Sequence, residues 1–520
     1  MNRFDASARW GACALAFAAA TLGALPPAQA APERGLPARV VTEPRDAAEV
    51  ARVIVKYRAD SPMRKALAAG TGSTPAWPLH AQTLSRRVGV PLKDGRVLGP
   101  QTQSLRGSGL STGELVRRLQ ALPDVEWVVA DERRSARATT NDPLLRDNQL
   151  LTTPTAGQWY LRAPNGTVVS AINAVTAWDT TTGRNDITVA VLDTGVRLDH
   201  PDLSSKFRPG YDFVSDEPTA ADGNARDSDP SDPGDGVAAG QCGVGAPAEN
   251  SSWHGTQVSG LVGAATNNNT GIAGTGHQTM VLPVRVLGKC GGFDSDIIAA
   301  MRWAAGLSDQ VGLGGPISVR NTFPAKVINL SLGSTGPCTA AYQAVMTELE
   351  LAGVTTVVAA GNDAGQDVGA PGNCTNAFTV AGLRHTGTKV GYSNVGREVG
   401  IAAPAGNCVN LTGTCLYPLV TTTNNGAQTP GANTYSTGED ATLGTSFAAP
   451  LVSGTVALML AVDRTLTPAN IRSIIQSTAR PFPNSGAGPE VGNCRQPDGT
   501  EQLECYCTTS TFTNCIDTCT

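Results

Sequence analysis

Two folding units are predicted by this sequence: a small α+β domain, then an α/β domain built as a doubly wound, mostly parallel sheet. Five near-continuous β-rich runs carry the second prediction: ITVAVL (187–192), MVLPVRVL (280–287), KVINLSL (326–332), VTTVVAA (354–360) and FTVAGL (378–383). They lack the polar alternation of a half-solvated strand, so they read as strands buried on both faces. Helix candidates such as DIIAAMRWAAGL and AAYQAVMTELELAG lie between them, and alternating strands and helices make parallel crossovers. A charge division sets the two units apart. Residues 31–140 hold 18 Lys and Arg against 11 Asp and Glu, a net of +7, while residues from 141 onward hold 19 against 32, a net of −13.

The 520 residues suffice for two or three domains, and 41% hydrophobic with 16% charged residues describes a globular chain. Residues 1–30 read as a signal peptide. Arg3 and Arg9 precede the apolar run Ala12–Leu25, and Ala28-Gln29-Ala30 has the small-x-small cleavage pattern. No later segment reads as long or apolar enough to span a membrane, so a soluble, exported, extracellular monomer is expected.

The small domain is expected over residues 31–138. VARVIVKYR (50–58) alternates like a strand, Ser111 to Glu114 is a capping box before the helical LVRRLQAL, and VEWVVADE (125–132) is a second strand. The charged stretch RRSARATTNDP closes it and is a natural cleavage site. Basic and acidic segments joined in one chain suggest two parts made to bind each other. Nucleic-acid binding is not expected, because interleaved aromatics and a dense Lys/Arg stripe are missing.

Three segments of the second domain, 139–485, carry reactive side chains where an α/β sheet places its ligand crevice. Asp193 ends the first buried strand in VAVLDTGV; His254 opens HGTQVSGLVGAA; Ser446 opens GTSFAAPLVSGTVALML. Singly these are a turn former, a structural donor and a helix cap. Together they supply the hydroxyl nucleophile, the base and the orienting carboxylate that acyl transfer requires. An esterase or lipase is disfavoured by the Asp-His-Ser order and because Ser446, in GTSFA, does not sit in a G-x-S-x-G elbow.

These three motifs, in this order, resemble the subtilisin-like serine proteases, with NLSLG (329–333) and VVAAGN (357–362) similar to that family's substrate-binding strands. The likeness runs from Trp159 to Phe482. It implies a secreted endopeptidase acting on proteins and peptides, with Asn362 as oxyanion donor. Substrate would lie extended between Ser331-Leu332-Gly333 and Ala359-Ala360-Gly361, with a broad, mainly apolar preference because neither segment is charged. The first domain resembles the inhibitor-like propeptide in strand–helix–strand order and position, implying a self-processing zymogen. A catalytically silent scaffold of the same fold is the alternative.

Two features depart from that pattern. The acidic insertion DFVSDEPTAADGNARDSDPSDPGDG suggests a structural calcium site on Asp222, Asn224, Asp227 and Asp229, with Asp212 as a substitute ligand. Residues 486–520 form a Cys-rich end in place of the usual closing strand. Of twelve cysteines, Cys13 belongs to the leader, and an exported product favours disulfides over metal. The expected pairs are Cys242–Cys290, Cys338–Cys374 and Cys408–Cys415. Eleven is odd, which leaves a free thiol, an intermolecular bond or a partner beyond Thr520.

Overall fold

In the computed structural model, the described residues are 51–62, 77–131, 140–145, 157–309, 318–363, 365–407, 415, 417–436 and 442–482. The leader, the expected cleavage stretch around Arg137, Cys408 and the Cys-rich end lie outside them. The chain divides into two compact units, Met1–Arg134 and Ser135–Thr520.

The first unit runs β1 (Ala51–Tyr57), α1 (Trp77–Val88), β2 (Leu92–Gly99), β3 (Thr102–Gly107), α2 (Thr112–Gln120), β4 (Val125–Ala130). Its sheet is antiparallel in the order β2-β3-β1-β4, a split β-α-β arrangement. Alternation in β1 buries Ala51, Val53, Val55 and Tyr57 with Leu84 of α1 and Leu115 and Leu119 of α2. The capping box forms, with Ser111 Oγ accepting the Glu114 N–H at 3.2 Å. Helix α1 and the β2–β3 hairpin are additions to the strand–helix–strand reading. β2 (LKDGRVLG) is an edge strand whose charged sequence hides its period.

The second unit holds a seven-stranded sheet in which every strand pairing is parallel. Its strands are β5 (Thr188–Asp193), β6 (Tyr211–Asp212), β7 (Met280–Arg285), β8 (Val327–Leu330), β9 (Thr355–Ala359), β10 (Ala377–Leu383) and β11 (Val399–Pro404). Their order is β11-β10-β9-β8-β5-β7-β6. The five apolar runs form β5, β7, β8, β9 and β10. The two edges, β6 and β11, escaped because one is two residues long and the other, VGIAAP, is Gly-, Ala- and Pro-rich. From β5 the chain passes to the edge at β6, returns to β7 beside β5, and then crosses to β5's other side at β8. A crevice therefore opens at the carboxyl ends of β5 and β8.

Helices cover both faces. On one side lie α3 (His254–Gly263), α6 (Thr445–Val462) and α7 (Pro468–Thr478); on the other lie α4 (Asp294–Ala304) and α5 (Ala340–Leu351). α5 is capped by Thr339 and α7 by Thr467 ahead of Pro468, each accepting a first-turn N–H. Helix α6, eighteen residues long, corrects one expectation, since its length and hydropathy would let it cross a membrane. It lies instead inside the protein, packed on β8–β11 and α3. A helix apolar all round needs neighbours on all sides, and here the sheet supplies them.

Candidate active site

Asp193 is the last residue of β5 and is 1% exposed. Its Oδ1 accepts the Thr194 N–H and the His254 Nδ1 proton, both at 2.8 Å. His254 begins α3, after Trp253, whose φ of 52° is unusual for a bulky residue. The Trp253 indole N–H, bonded to Gly426 O at 2.8 Å, holds that turn. Gly255 is required by closeness: a Cβ there would stand 2.1 Å from Gly195 O. With hydrogen in its place, α3 sits against the end of β5 and the imidazole meets the carboxylate.

Burial disfavours the charged imidazolium, but the charge and hydrogen bond of Asp193, with the charges of Asp235 and Asp232, outweigh it. The His254 pKa is therefore raised above the ordinary histidine value. Its Nε2 makes no hydrogen bond to another described residue.

Ser446 is the second residue of α6, at the helix end where backbone N–H groups have no intrahelical acceptor. Gly444 precedes it at φ 147°, a conformation that favours glycine. Ser446 Oγ donates to Ser331 O at 3.3 Å rather than to His254, while the neighbouring Phe447 ring packs 5.3 Å from the imidazole. Asn362 lies beside this helix end. The Thr445 N–H and hydroxyl both donate to its Oδ1, at 2.9 and 3.0 Å. That fixes the amide orientation and leaves the exposed Asn362 NH2 without a bond to any described residue.

His254 borders a crevice of about 440 Å³ that Ser331, Leu332 and Gly333 and, from another loop, Gly291 and Gly292 also line. Ala359, Ala360 and Gly361, like Ser446 and Asn362, are not among its lining residues. Ala360 is occupied in the sheet, its N–H donating to Val380 O at 3.0 Å, and the Gly361 N–H goes to Thr445 Oγ1 at 3.1 Å. The signal for the missed wall was Gly291-Gly292 beside Cys290, since paired glycines allow a backbone to approach closely. Cys290 is bonded to Cys242, and Cys338 to Cys374, as expected. Cys415 is also disulfide-bonded, and its expected partner Cys408 lies outside the described residues. Asp235 and Asp294 border the crevice too, and neither has an ion-pair partner among the described residues.

The structure does not show the expected calcium site. Arg285, 1% exposed and opposite Asp193 in the β5–β7 register, donates to the carboxylates of Asp212 and Asp222 and to Ala220 O and Thr194 O. Asn224 turns its NH2, not its oxygen, to Asp227 at 2.8 Å, and Asp229 Oδ1 accepts from Ser231. Among the described residues no group of three or more His, Cys, Asp or Glu is arranged to hold a metal ion. With Asp222 on a guanidinium and Asp227 and Asp229 on turn donors, the four residues are not gathered into one cage. Arg285→Leu is accordingly expected to destabilise the protein by about 3–5 kcal/mol, because it strands a buried carboxylate. Urea denaturation measures this, and a loss below about 1 kcal/mol would mean the pair behaves as a solvated one.

Residues 184–502 match the Subtilase family. This chain belongs to the subtilase family. With membership comes its enzyme class, serine-type endopeptidase. Among curated relatives, this subtilase is 40% identical over 436 residues to an extracellular protease of Xanthomonas campestris pv. campestris, the match covering 80% of this chain and 68% of the relative. It is 35% identical to an extracellular basic protease of Dichelobacter nodosus, covering 74% of this chain and 62% of that protein. A solved protease structure from Pseudoalteromonas arctica PAMC 21717 shares 41% identity at a TM-score of 0.56, over 64% of this chain and 93% of its own.

Proposed function

We propose that this subtilase is an exported endopeptidase, made as a self-processing precursor, in which Asp193, His254 and Ser446 form the catalytic triad. The observation that carries the reading is the 2.8 Å Asp193–His254 hydrogen bond, with His254 and Ser331 lining one crevice and Ser446 Oγ bonded to Ser331 O. Substrate laid along Ser331–Gly333 adds a strand by backbone pairing. Ser446 Oγ then leaves Ser331 O, gives its proton to His254 Nε2 and attacks the peptide carbonyl. Asp193 holds the imidazole tautomer and stabilises the imidazolium. The oxyanion is received by the Asn362 NH2 and the Ser446 N–H. His254 returns the proton to the leaving amine, and water, activated by the same base, releases the acid. Every step uses the chain's own side chains. Residues 31–138 are proposed as the inhibiting propeptide, supported by the separate core of the first unit and its opposite charge.

Labelling by a fluorophosphonate together with casein hydrolysis tests the reading. A folded product that does neither would make the chain a silent binding scaffold. Asn362→Leu tests the oxyanion assignment. It is expected to lower kcat by about 10²–10³ with KM nearly unchanged, the size of loss found when the corresponding donor is removed from subtilisin. A mutant that loses only KM would make Asn362 a ground-state contact.

A further inference from the structure

Among the buried polar residues outside the triad, two lie in motifs already noted. Asn329 interrupts the apolar run of β8, between Val191 and Val357 on the neighbouring strands, and is 0% exposed. Ser453 lies on the buried face of α6 and is also 0% exposed. They join across the sheet–helix interface. Ser453 Oγ donates to Asn329 Oδ1 at 2.8 Å, and Asn329 Nδ2 donates to Ser331 Oγ at 2.9 Å. Ser331 Oγ then donates to Ser446 O at 2.6 Å.

The last of these bonds replaces one the helix cannot make. The ordinary partner of Ser446 O would be the N–H four residues on, but that residue is Pro450, which has none. The nucleophile's own carbonyl is thus orphaned by the sequence of its helix. Only an outside donor can hold that peptide plane, and Ser331 supplies one. Each link also orients the next. A hydroxyl proton on Asn329 Oδ1 turns the amide NH2 toward Ser331, and an amide proton on Ser331 Oγ turns the hydroxyl proton toward Ser446.

We infer that Asn329 and Ser453 are positioning residues for the nucleophile. They act through Ser331 to fix the rotation and depth of the α6 first turn against β8, and so the place from which Ser446 Oγ reaches His254. The inference rests on Ser446 being the nucleophile, and its test separates the two claims.

Wild type, Ser453→Ala, Ser453→Thr and Asn329→Leu are compared on a chromogenic peptide, by fluorophosphonate labelling rate and by thermal denaturation, all assayed well below their midpoints. Ser453→Ala is expected to lower kcat and labelling about tenfold with KM within about twofold, since displacement of a reacting atom by up to 1 Å costs up to about 10². Ser453→Thr, which keeps the hydroxyl, restores most of both. Asn329→Leu, if it folds, lowers both further. The acid limb of the pH profile stays in place in all of them, because the Asp193–His254 pair is untouched. Full kcat and labelling in Ser453→Ala, whatever its denaturation midpoint, would overturn the inference and leave the pair as packing. So would a Ser453→Thr variant as impaired as Ser453→Ala. An inert, unlabelled wild type would overturn the triad reading instead.

Discussion

Substitution Ser446→Ala is expected to remove about 10⁶ of kcat, the loss seen when the serine of subtilisin's triad is deleted, and to leave the precursor whole. Most other hydroxyls of the crevice are committed: Ser331 donates to Ser446 O and accepts from Asn329, Ser252 donates to Asp235, Thr194 to Asp232 and Tyr342 to Asp294. Folding should be little affected, because Ser446 Oγ makes only a 3.3 Å bond to Ser331 O. Self-processing and casein hydrolysis must fail together if one nucleophile serves both. Intact mass and N-terminal sequencing of purified protein give the result directly. Maturation of the Ser446→Ala precursor near Arg137, with no other protease present, would remove the self-processing claim.

Asp193→Asn is expected to lower kcat by about 10⁴ and to shift the acid limb of kcat/KM to lower pH. His254 works as a base only when neutral, so activity falls as pH drops through its pKa. In the wild type burial lowers that pKa, but Asp193, by charge and hydrogen bond, and then Asp235 and Asp232 raise it above the ordinary value. The limb therefore lies on the alkaline side of an unperturbed histidine. With asparagine the strongest opposing charge is gone while burial stays, so the imidazolium is less stable and the limb moves to acid. The loss of rate has a separate origin: an amide can turn its NH2 to the ring and favour the wrong tautomer. A pH–rate profile shows both effects at once. A limb that does not move would mean that Asp193 does not set the His254 pKa.

Much of the fold was legible because its signals are local. A strand buried on both faces is mostly apolar, and β5, β7, β8, β9 and β10 are, with Arg285 in β7 and Asn329 in β8 among the exceptions. The capping box at Ser111 was legible for the same reason, since its bond spans three residues. α1, β2 and β11 were not, because charge, glycine and alanine blur their periods. The acidic insertion was legible as a cluster of carboxylates but not in its pairing. Composition does not say that one partner of Asp222 is the guanidinium of Arg285, 63 residues away.

By itself the sequence determined the buried strands and the place of Asp193 at the end of one, because these follow from chemistry position by position. The cysteine pairs Cys242–Cys290 and Cys338–Cys374, 48 and 36 residues apart, were expected from it but are settled by the fold. Tertiary structure alone decided the rest. The strand order β11-β10-β9-β8-β5-β7-β6 opens the crevice between β5 and β8. It brings Gly291-Gly292, rather than Ala359–Gly361, to the crevice of Ser331–Gly333. It sets Ser453 against Asn329 across 124 residues of chain. No periodicity encodes such contacts, because they depend on how far two packed layers slide and turn before close packing and buried polar bonds stop them.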